Sequence, residues 1–412
     1  MAAQRIAVIG GGPAGLAAGI AACREGARVV LFERLPRAGK KLSVTGGGRG
    51  NVAHVGGEND FAAAFGKRGR FGVPAWRTLG GAEGLRKQLA ALGVPTVVDD
   101  EGRIYPASMR APEVADTLLA AFASAGGMLR CGTRVEALAP TDDGGWQVNN
   151  QTFAAVVLAA GGQSAAELGS DGSGFALARN VGHRIVAPVP GLAPLLLDEP
   201  WLAQNSGASV DHAVLRLRAG RRSREVRGAV LATHAGISGP AALALSGAIA
   251  REWTGQDAAA VELGLIPGGM DWSLARRENG AKSVLGLLAI QLPKGLAAGL
   301  LERCAIAPAV AVARLAAKDE RRLDAALKGL PLRLRGIAPF AQSMVTCGGV
   351  DLREIHPETL ESRLAPNLFF AGEVLDMDAP SGGWNLLWAF SSGALAGRSA
   401  ALRLREEVPH GH

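Results

Sequence analysis

The stretch that decides the fold is RIAVIGGGPAG, at residues 5–15. Its apolar start predicts a short buried strand, and the glycine turn leads into a small-residue helix that runs to Glu25 and stops at Gly26. A second strand over residues 28–32 ends in Glu33, whose carboxylate can accept hydrogen bonds from ribose hydroxyls. These features follow one another in the order of a dinucleotide-binding βαβ unit.

Each glycine of the first turn has a physical role. Gly10 permits the sharp turn, Gly12 lets the backbone approach a pyrophosphate, and Gly15 lets the helix pack closely on the strand. Pro13 and Ala14 open the helix, where N–H donors and the positive end of the helix dipole favour an anion. The turn therefore predicts a bound dinucleotide, and the choice between NAD and FAD must come from elsewhere in the chain.

Composition narrows the class of protein. The chain has 412 residues, of which 48% are hydrophobic and 57 are glycine, so we expect two or three domains with many tight turns. Its four cysteines are far apart and form no CxxC pair, which favours a reducing cytoplasm. Residues 228–250 are uncharged but contain His234 and Pro240, so we predict a strand, a turn and a helix rather than a membrane anchor.

The chain is basic. Its formal charge is +7, and six arginines fall within residues 216–227. The simplest interpretation is a solvated hairpin, and the alternative is an RNA-binding surface. No aromatic residue alternates with these arginines, so the sequence disfavours nucleic acid as a partner.

The pattern along the chain predicts a discontinuous domain with two insertions. Residues 129–138 and 146–160 form sheet segments that end in Ala160 and Gly161, and residues 391–405 form the final helix. Proline-rich β-like stretches suggest an inserted β domain, and residues rich in Ala, Leu and Arg suggest a helical insert. The expected boundaries are 1–186 and 339–408 for the α/β, Rossmann-like domain, 187–269 for the β domain, 270–338 for the helical insert, and 409–412 for a tail.

Two distal segments favour FAD, which is longer than NAD at its reactive end. The first is GKKLSVTGGGRGN at residues 39–51, where exposed backbone and three cations could meet the flavin ring, unless it is only a surface loop. Near the other end, Gly372 and Glu373 close a strand. Residues 380–385 lead toward the final helix, whose N-terminus could stabilise negative charge on the flavin.

These segments, with DGSG at 171–174, THAGISGP at 233–240 and GGWNL at 382–386, resemble the signature blocks of the HI0933-like flavoprotein family, also called YhiN-like or BaiN-like. The resemblance implies a two-dinucleotide-binding-type flavoprotein fold with a β-barrel-like insert and a helical insert. It also implies double-bond reductase or aminoacetone oxidase-like activity. Gly50 stands where many members have cysteine, which argues against thiol chemistry there, and Trp384 stands where many have tyrosine.

The predicted site residues follow from these segments. The catalytic candidates are Tyr105, as a proton donor or else a packed ring, together with His234 and Arg49, and His54 and Trp384 are further pocket candidates. We predict no metal site. The predicted cofactor-binding residues are Gly10, Gly12, Pro13, Ala14, Gly15, Glu33, Arg34, Lys40, Lys41, Thr45, Gly46, Gly47, Arg49, Asn51, Val135, Ala160, Gly161, Gly372, Glu373, Gly382, Gly383, Asn385 and Leu386.

Three functions are consistent with the sequence. The first is an FAD-dependent oxidoreductase for a small organic substrate, which reduces C=C or C=O with transiently bound NADH or NADPH, or oxidises an amine with oxygen. The absence of a second GxGxxG leaves both routes open. The alternatives are a flavin-dependent RNA-modifying enzyme and a non-catalytic flavin-binding redox sensor.

Overall fold

A computed structural model describes residues 5–219, 222–252 and 260–406 of the chain. These divide into two compact units, one built from residues up to Val189 and from Met344 onward, and the other from Pro190–Ser343. The predicted tail at 409–412 lies outside the described residues. No helix in the described ranges has both the length and the hydropathy to cross a membrane.

The first unit opens with the predicted βαβ order. Its elements up to residue 191 are β1 (Arg5–Ile9), α1 (Pro13–Arg24), β2 (Arg28–Phe32), β3 (Ala53–His54), α2 (Glu58–Ala64), α3 (Val73–Leu79), α4 (Gly81–Ala91), β4 (Thr96–Val98), β5 (Arg103–Pro106), α5 (Ala111–Ser124), β6 (Met128–Arg130), β7 (Leu138–Pro140), β8 (Trp146–Val148), β9 (Gln151–Phe153), β10 (Ala155–Leu158), α6 (Ser173–Asn180) and β11 (Ile185–Gly191). Three 3-10 segments, Leu42–Gly48, Gly66–Gly72 and Ala166–Leu168, lie among them, and the first is interrupted by non-helical backbone at Thr45, Gly46 and Gly47.

The second unit contains β12 (Leu195–Leu197), α7 (Pro200–Ala203), β13 (Ser209–Ala219), β14 (Arg222–Thr233), β15 (Gly236–Ser238), α8 (Pro240–Glu252), β16 (Ala260–Gly264), α9 (Trp272–Asn279), α10 (Val284–Leu288), α11 (Lys294–Arg303), α12 (Ala317–Gly329) and β17 (Leu330–Ile337). The chain then returns to the first unit with β18 (Val345–Val350), β19 (Leu368–Phe370) and α13 (Gly382–Glu406).

A five-stranded parallel sheet forms the centre of the first unit, in the order β19-β10-β1-β2-β6. Val8 of β1 pairs with Leu31 on one side and with Val157 on the other, and all three side chains are fully buried. Helices cover such a sheet on both faces, which explains why its strands are continuous apolar runs. Because the strands are parallel, the turns after β1, β10 and β19 lie at one edge of the sheet.

The helix α13 packs directly on α1, and glycines make this approach possible. A side-chain carbon added at Gly393 would lie 2.2 Å from the Ala14 carbonyl oxygen, and one at Gly397 would lie 2.0 Å from the Ala18 carbonyl oxygen.

The prediction that the final helix spans residues 391–405 was wrong at its start, because α13 begins at Gly382. The sequence pattern suggests that Gly382 and Gly383 belong to a turn, whereas both glycines lie in the first helical turn of α13.

The second unit contains a closed barrel in the strand order β12-β15-β14-β13-β16-β17. The last strand corrects the expectation of helix throughout 270–338. In LPLRLRGI, Leu330 and Leu332 are buried while Pro331 and Arg333 are exposed, which is the period-two alternation of a strand. Because this stretch is rich in Leu and Arg, its composition suggested a helix, and the alternation of buried and exposed residues was not recognised.

Candidate cofactor and active site

The first glycine turn has the geometry that its sequence predicts. Gly10 has a φ of 108°, and a side-chain carbon there would lie 2.4 Å from the Ala159 carbonyl oxygen. One at Gly15 would lie 1.9 Å from the Gly10 carbonyl oxygen. At Gly12, by contrast, no described atom lies within 4 Å of that position. The outer two glycines are therefore required by packing, while Gly12 opens a space at the helix N-terminus that suits a phosphate.

Glu33 is fixed beside this turn. One carboxylate oxygen accepts a hydrogen bond from the Gly11 N–H at 2.9 Å, and the other accepts from the Leu35 N–H at 2.8 Å. Glu33 is 9% exposed. Each carboxylate oxygen has a further lone pair, so the geometry is consistent with the predicted ribose contact.

Arg34 binds a neighbouring loop. Its guanidinium donates to the carbonyl oxygens of Gly169 at 3.2 Å and Ala166 at 2.6 Å, and it lies 3.6 Å from the Asp171 carboxylate. Burial raises the pKa of Asp171, but hydrogen bonds from Ser173 and the charge of Arg34 outweigh it, and the pKa lies below its usual value. Arg34 thus fixes the loop after β10 against the end of β2.

The two lysines of the 39–51 segment have protein partners. Lys40 Nζ donates to the Glu167 carbonyl oxygen at 3.1 Å. Lys41 Nζ lies 2.9 Å from a carboxylate oxygen of Glu373, and the other oxygen of that carboxylate accepts from the Thr346 N–H at 2.7 Å. Two of the three cations predicted near the flavin therefore fix neighbouring segments.

Arg49 is the third cation of this segment, and it is exposed. Its guanidinium carbon lies 5.2 Å from the centroid of the Tyr105 ring, which is a cation–π distance. The backbone between Thr45 and Arg49 turns through glycines with positive φ, and a side-chain carbon at Gly46 would lie 2.8 Å from Asn51 N and 3.4 Å from the Tyr105 ring. The glycine turn thus lies against both Asn51 and Tyr105.

The start of α13 completes this cluster. A side-chain carbon at Gly383 would lie 2.6 Å from the Ala53 carbonyl oxygen and 2.9 Å from Asn51 Oδ1. Gly382 has no described atom within 4 Å of the equivalent position. Asn385 closes the preceding turn, because its amide accepts from the Ala379 N–H at 3.0 Å and donates to two carbonyl oxygens of residues 379–381.

Asn51 provides a direct test of whether this region fits a flavin. Its Oδ1 is buried and has no hydrogen-bond partner among the described residues. A buried amide oxygen without a partner is costly, which favours a ligand donor there. Next to it, α13 presents unpaired N–H groups and the positive end of its dipole. An acceptor beside a group of donors fits the alternating donor and acceptor edge of a flavin.

His54 and Trp384 pack on each other. Their rings stack with centroids 4.7 Å apart and an interplanar angle of 19°, and His54 Nδ1 lies 2.7 Å from the Val55 carbonyl oxygen.

Gly50 has a φ of 83°, and a side-chain carbon there would lie 3.1 Å from the Ala111 backbone. Position 50 in this chain is therefore shaped for glycine rather than for the cysteine of the family pattern.

Five further predicted residues occupy four places. Val135 follows β6 and is buried, while Ala160 and Gly161 follow β10. Gly372, with a φ of 77°, follows β19 and accepts a hydrogen bond from Trp388 Nε1 at 3.1 Å. His234 belongs to the barrel unit, where its exposed side chain lies in the turn between β14 and β15.

Thr346 is a residue that the sequence analysis missed. Its hydroxyl oxygen accepts from the Gln163 N–H at 2.7 Å and the Ser164 N–H at 3.1 Å, and its own N–H donates to Glu373. It thereby joins the glycine turn after β10 to Glu373. The available signal was a polar residue inside the fully buried strand β18.

An ion-pair cluster before α13 was also missed. Arg68 lies 3.7 Å from Asp376 and 3.2 Å from Asp378, and Cys347 Sγ donates to Asp378 at 3.1 Å. The two aspartates are largely buried, with side chains 13% and 10% exposed. The cluster fixes the segment that enters α13. Its sequence signal was the pair of acids in an otherwise apolar run.

The parallel sheet with its glycine turn, and the second cradle at residues 46–51 and 382–383, define an FAD-dependent oxidoreductase, an enzyme rather than a non-catalytic sensor. When bound, FAD supplies the electron chemistry. The first turn and Glu33 would hold its adenosine and pyrophosphate, and Asn51 with the start of α13 would hold its flavin. The sequence profile of the HI0933-like protein Rossmann domain matches residues 4–399, and the chain belongs to this family.

Two curated relatives match along almost their full length. The chain is 34% identical over 412 residues to the 3-dehydro-bile acid delta(4,6)-reductase of Clostridium scindens, which covers 97% of this chain and 100% of the relative. It is 29% identical over 400 residues to the ribosomal RNA dihydrouridine synthase of Escherichia coli strain K12, which covers 93% and 95%.

Two solved structures share the fold. A 3-ketosteroid delta1-dehydrogenase from Sterolibacterium denitrificans superposes with a TM-score of 0.53 at 13% identity, covering 97% of this chain and 100% of that one. The open conformation of a flavocytochrome c3 fumarate reductase gives a TM-score of 0.52 at 18% identity, covering 97% and 78%.

Proposed function

We propose that this enzyme reduces a carbon–carbon double bond that is conjugated to a carbonyl group, using FAD reduced beforehand by NADH or NADPH. The names of two relatives support this class of reaction. One relative is a reductase of double bonds in a 3-dehydro-bile acid, and the other forms dihydrouridine, which is uridine with its carbonyl-conjugated C5=C6 bond saturated. The two substrates differ greatly in size but share this bond.

The observation that carries the proposal is the pair formed by Arg49 and Tyr105. Reduction of an enone adds a hydride to the β-carbon and a proton to the α-carbon, and the carbonyl oxygen becomes more negative between these events. The Arg49 guanidinium donates hydrogen bonds to that oxygen and stabilises its charge. Tyr105 Oη donates the proton to the α-carbon. The Arg49 guanidinium carbon lies 5.2 Å from the Tyr105 ring centroid, so a carbonyl oxygen bound by Arg49 lies near the tyrosine ring.

The same pair disfavours oxidation of an amine. Most amines are protonated near neutral pH, and a cation at the site repels an ammonium group. Lys41 pairs with Glu373 and Lys40 donates to the Glu167 carbonyl oxygen, so Arg49 is the cation of the 39–51 segment that contacts Tyr105. The electrostatics thus favour an electron-rich carbonyl oxygen.

The test uses the purified, FAD-loaded protein without oxygen. NADH or NADPH should bleach the flavin absorbance, and a cyclic 2-enone or a 4-en-3-one steroid should then restore it. The saturated ketones of the same size are the matched controls and should leave the flavin reduced. Bleaching of the oxidised flavin by an amine, with no response to enones, would overturn the proposal.

A second form of the proposal places the double bond in a uracil of RNA. The specific observation is the positive charge, +7 overall with arginines concentrated on the hairpin of β13 and β14. Incubation of unmodified RNA with the reduced enzyme, followed by nucleoside mass spectrometry, should yield dihydrouridine. Enone reduction without any dihydrouridine would leave the small-molecule form.

A further inference from the structure

We propose that the outer face of the six-stranded barrel binds the phosphate backbone of RNA. This proposal rests on the second form of the proposed function, in which the substrate is a uracil of RNA. The surface consists of outward arginines on three strands, and we call it the arginine face. Its members are Arg216, Arg218, Arg227, Arg333 and Arg335.

Strand geometry brings these side chains together. Leu215 and Leu217 are buried at 0% and 1% exposure, so the residues that alternate with them, Arg216 and Arg218, point outward. Arg218 pairs across β16 with Ala260, which pairs in turn with Arg333 on β17. Two strand spacings separate Arg218 from Arg333 by about 10 Å, and alternate residues on one strand are about 7 Å apart. The arginine face is therefore one continuous patch.

Carboxylates orient these arginines without neutralising the patch. Glu225 lies 2.8 Å from Arg216 and 2.9 Å from Arg227, and Glu262 lies 3.2 Å from Arg218. Each guanidinium carries five N–H donors, so donors remain for a ligand.

The β17 arginines are less constrained. Arg333 lies 4.0 Å from Asp198, with both side chains largely exposed. Arg335 is exposed and has no hydrogen-bond or ion-pair partner among the described residues. Five arginines thus face three acids, which leaves an excess of two positive charges.

Stability does not account for so many arginines. Exposed ion pairs of this kind contribute little to the free energy of unfolding. The side chains of Arg218, Arg227 and Arg333 are 62%, 72% and 81% exposed, so they cover little apolar surface. An exposed concentration of arginines is better explained by an anionic partner.

The chemistry of the patch favours RNA phosphates over a membrane surface. Arginine forms bidentate hydrogen bonds to phosphate, and every cation of the patch is arginine. A membrane-binding surface also needs apolar side chains to insert, and no valine, leucine or isoleucine is exposed within the described residues 209–218, 223–230 and 330–337. Leu231, four residues beyond Arg227 on β14, is 36% exposed. Residues 209–238 contain no Phe, Trp or Tyr for base stacking. We therefore expect recognition of backbone rather than sequence.

The test compares two charge-reversed proteins, each full-length and FAD-loaded. The first carries Arg218→Glu and Arg335→Glu. The matched control carries Lys282→Glu and Lys294→Glu, two exposed lysines in the helical part of the same unit. Binding of a fluorescent RNA hairpin and of purified ribosomal RNA is measured by anisotropy and filter retention at several salt concentrations. Flavin content and circular dichroism check that both variants are folded.

The wild type should bind both RNAs with an affinity that falls steeply with salt. The arginine double variant should bind at least about tenfold more weakly, with a salt slope reduced by about two, while the lysine control stays close to the wild type. Absence of RNA binding by the wild type at low salt, an equal loss in the control, or equally tight binding to phosphatidylglycerol vesicles would overturn the inference. Binding is measured without turnover, so this result is separate from the enone test.

Discussion

The guanidinium carbon of Arg49 lies 5.2 Å above the ring of Tyr105, the one tyrosine in the chain. The contact joins the glycine turn after β2 to the strand β5. Tyr105 is 3% exposed, whereas Arg49 is exposed, so a guanidinium that reaches solvent packs on a buried phenol ring. This pair is the basis of the proposed proton transfer.

Replacing Tyr105 by Phe should keep the ring under Arg49 and remove the proton donor. We expect the oxidation of pre-reduced flavin by an enone to slow by about 10²–10⁴-fold, while the bleaching by NADPH changes much less. Stopped-flow absorbance measures both steps separately. If the two steps slow equally, Tyr105 is a packing residue and not the donor.

Gly12→Ala and Gly15→Ala form a matched pair at the start of α1, because Gly12 immediately precedes the helix and Gly15 lies in its first turn. Gly12 has a φ of −79° and open space around it, so Gly12→Ala should fold and yet bind FAD at least about tenfold more weakly, because the methyl group fills the space expected for the pyrophosphate. Gly15→Ala would place a carbon 1.9 Å from the Gly10 carbonyl oxygen and should fail to fold. Soluble yield and FAD titration of each apo-protein measure these effects. Full FAD affinity in Gly12→Ala would contradict the placement of the pyrophosphate.

Replacing Asn51 by Leu tests the unpaired amide oxygen. Leucine has a similar shape without the buried polar group, so the apo-protein should be as stable as the wild type or more so. FAD should dissociate about tenfold more readily, which corresponds to the loss of one hydrogen bond. Thermal unfolding of the apo-protein and fluorescence titration with FAD are the measurements. A less stable apo-protein with unchanged FAD affinity would show that Asn51 serves the fold alone.

His183 should make the stability of the protein depend on pH. The ring is fully buried, with Nδ1 3.1 Å from Glu354 and Nε2 2.8 Å from the Ser362 hydroxyl. Burial lowers the pKa of His183, and this effect outweighs the opposing influence of Glu354. The unfolded chain therefore binds this proton first as the pH falls, so stability is retained above about pH 6.5 and lost below it, until the folded-state pKa is passed.

The measurement is the midpoint of urea unfolding at several pH values between about 8 and 5, in the range where histidine titrates. His183→Gln should reduce the loss of stability on acidification. His356→Gln, which changes an exposed histidine nearby, should leave the loss as in the wild type. An identical pH dependence in all three proteins would assign the acid sensitivity to other groups.

Sequence patterns were sufficient to predict local structure where the interacting residues are close together in the chain. The first turn could be predicted because Gly10, Gly12 and Gly15 act through backbone sterics within one βαβ unit. The final helix was placed nine residues too late because two glycines, which usually interrupt a helix, are held in its first turn. Gly383 lies against Ala53 and Asn51, more than 300 residues away in sequence, and no local pattern reports that contact.

The sequence by itself determined the class of fold, the glycine turn after β1 and the presence of an inserted β domain, because apolar periodicity and glycine spacing act over a few residues. Tertiary structure alone decided which groups meet. It paired Lys41 with Glu373, brought Tyr105 to Arg49, left the Asn51 amide oxygen without a partner among the residues that the structure describes, and closed the barrel with β17. The physical reason is that the partner of a charged or polar side chain is set by the path of the whole chain, and a sequence pattern does not contain that path.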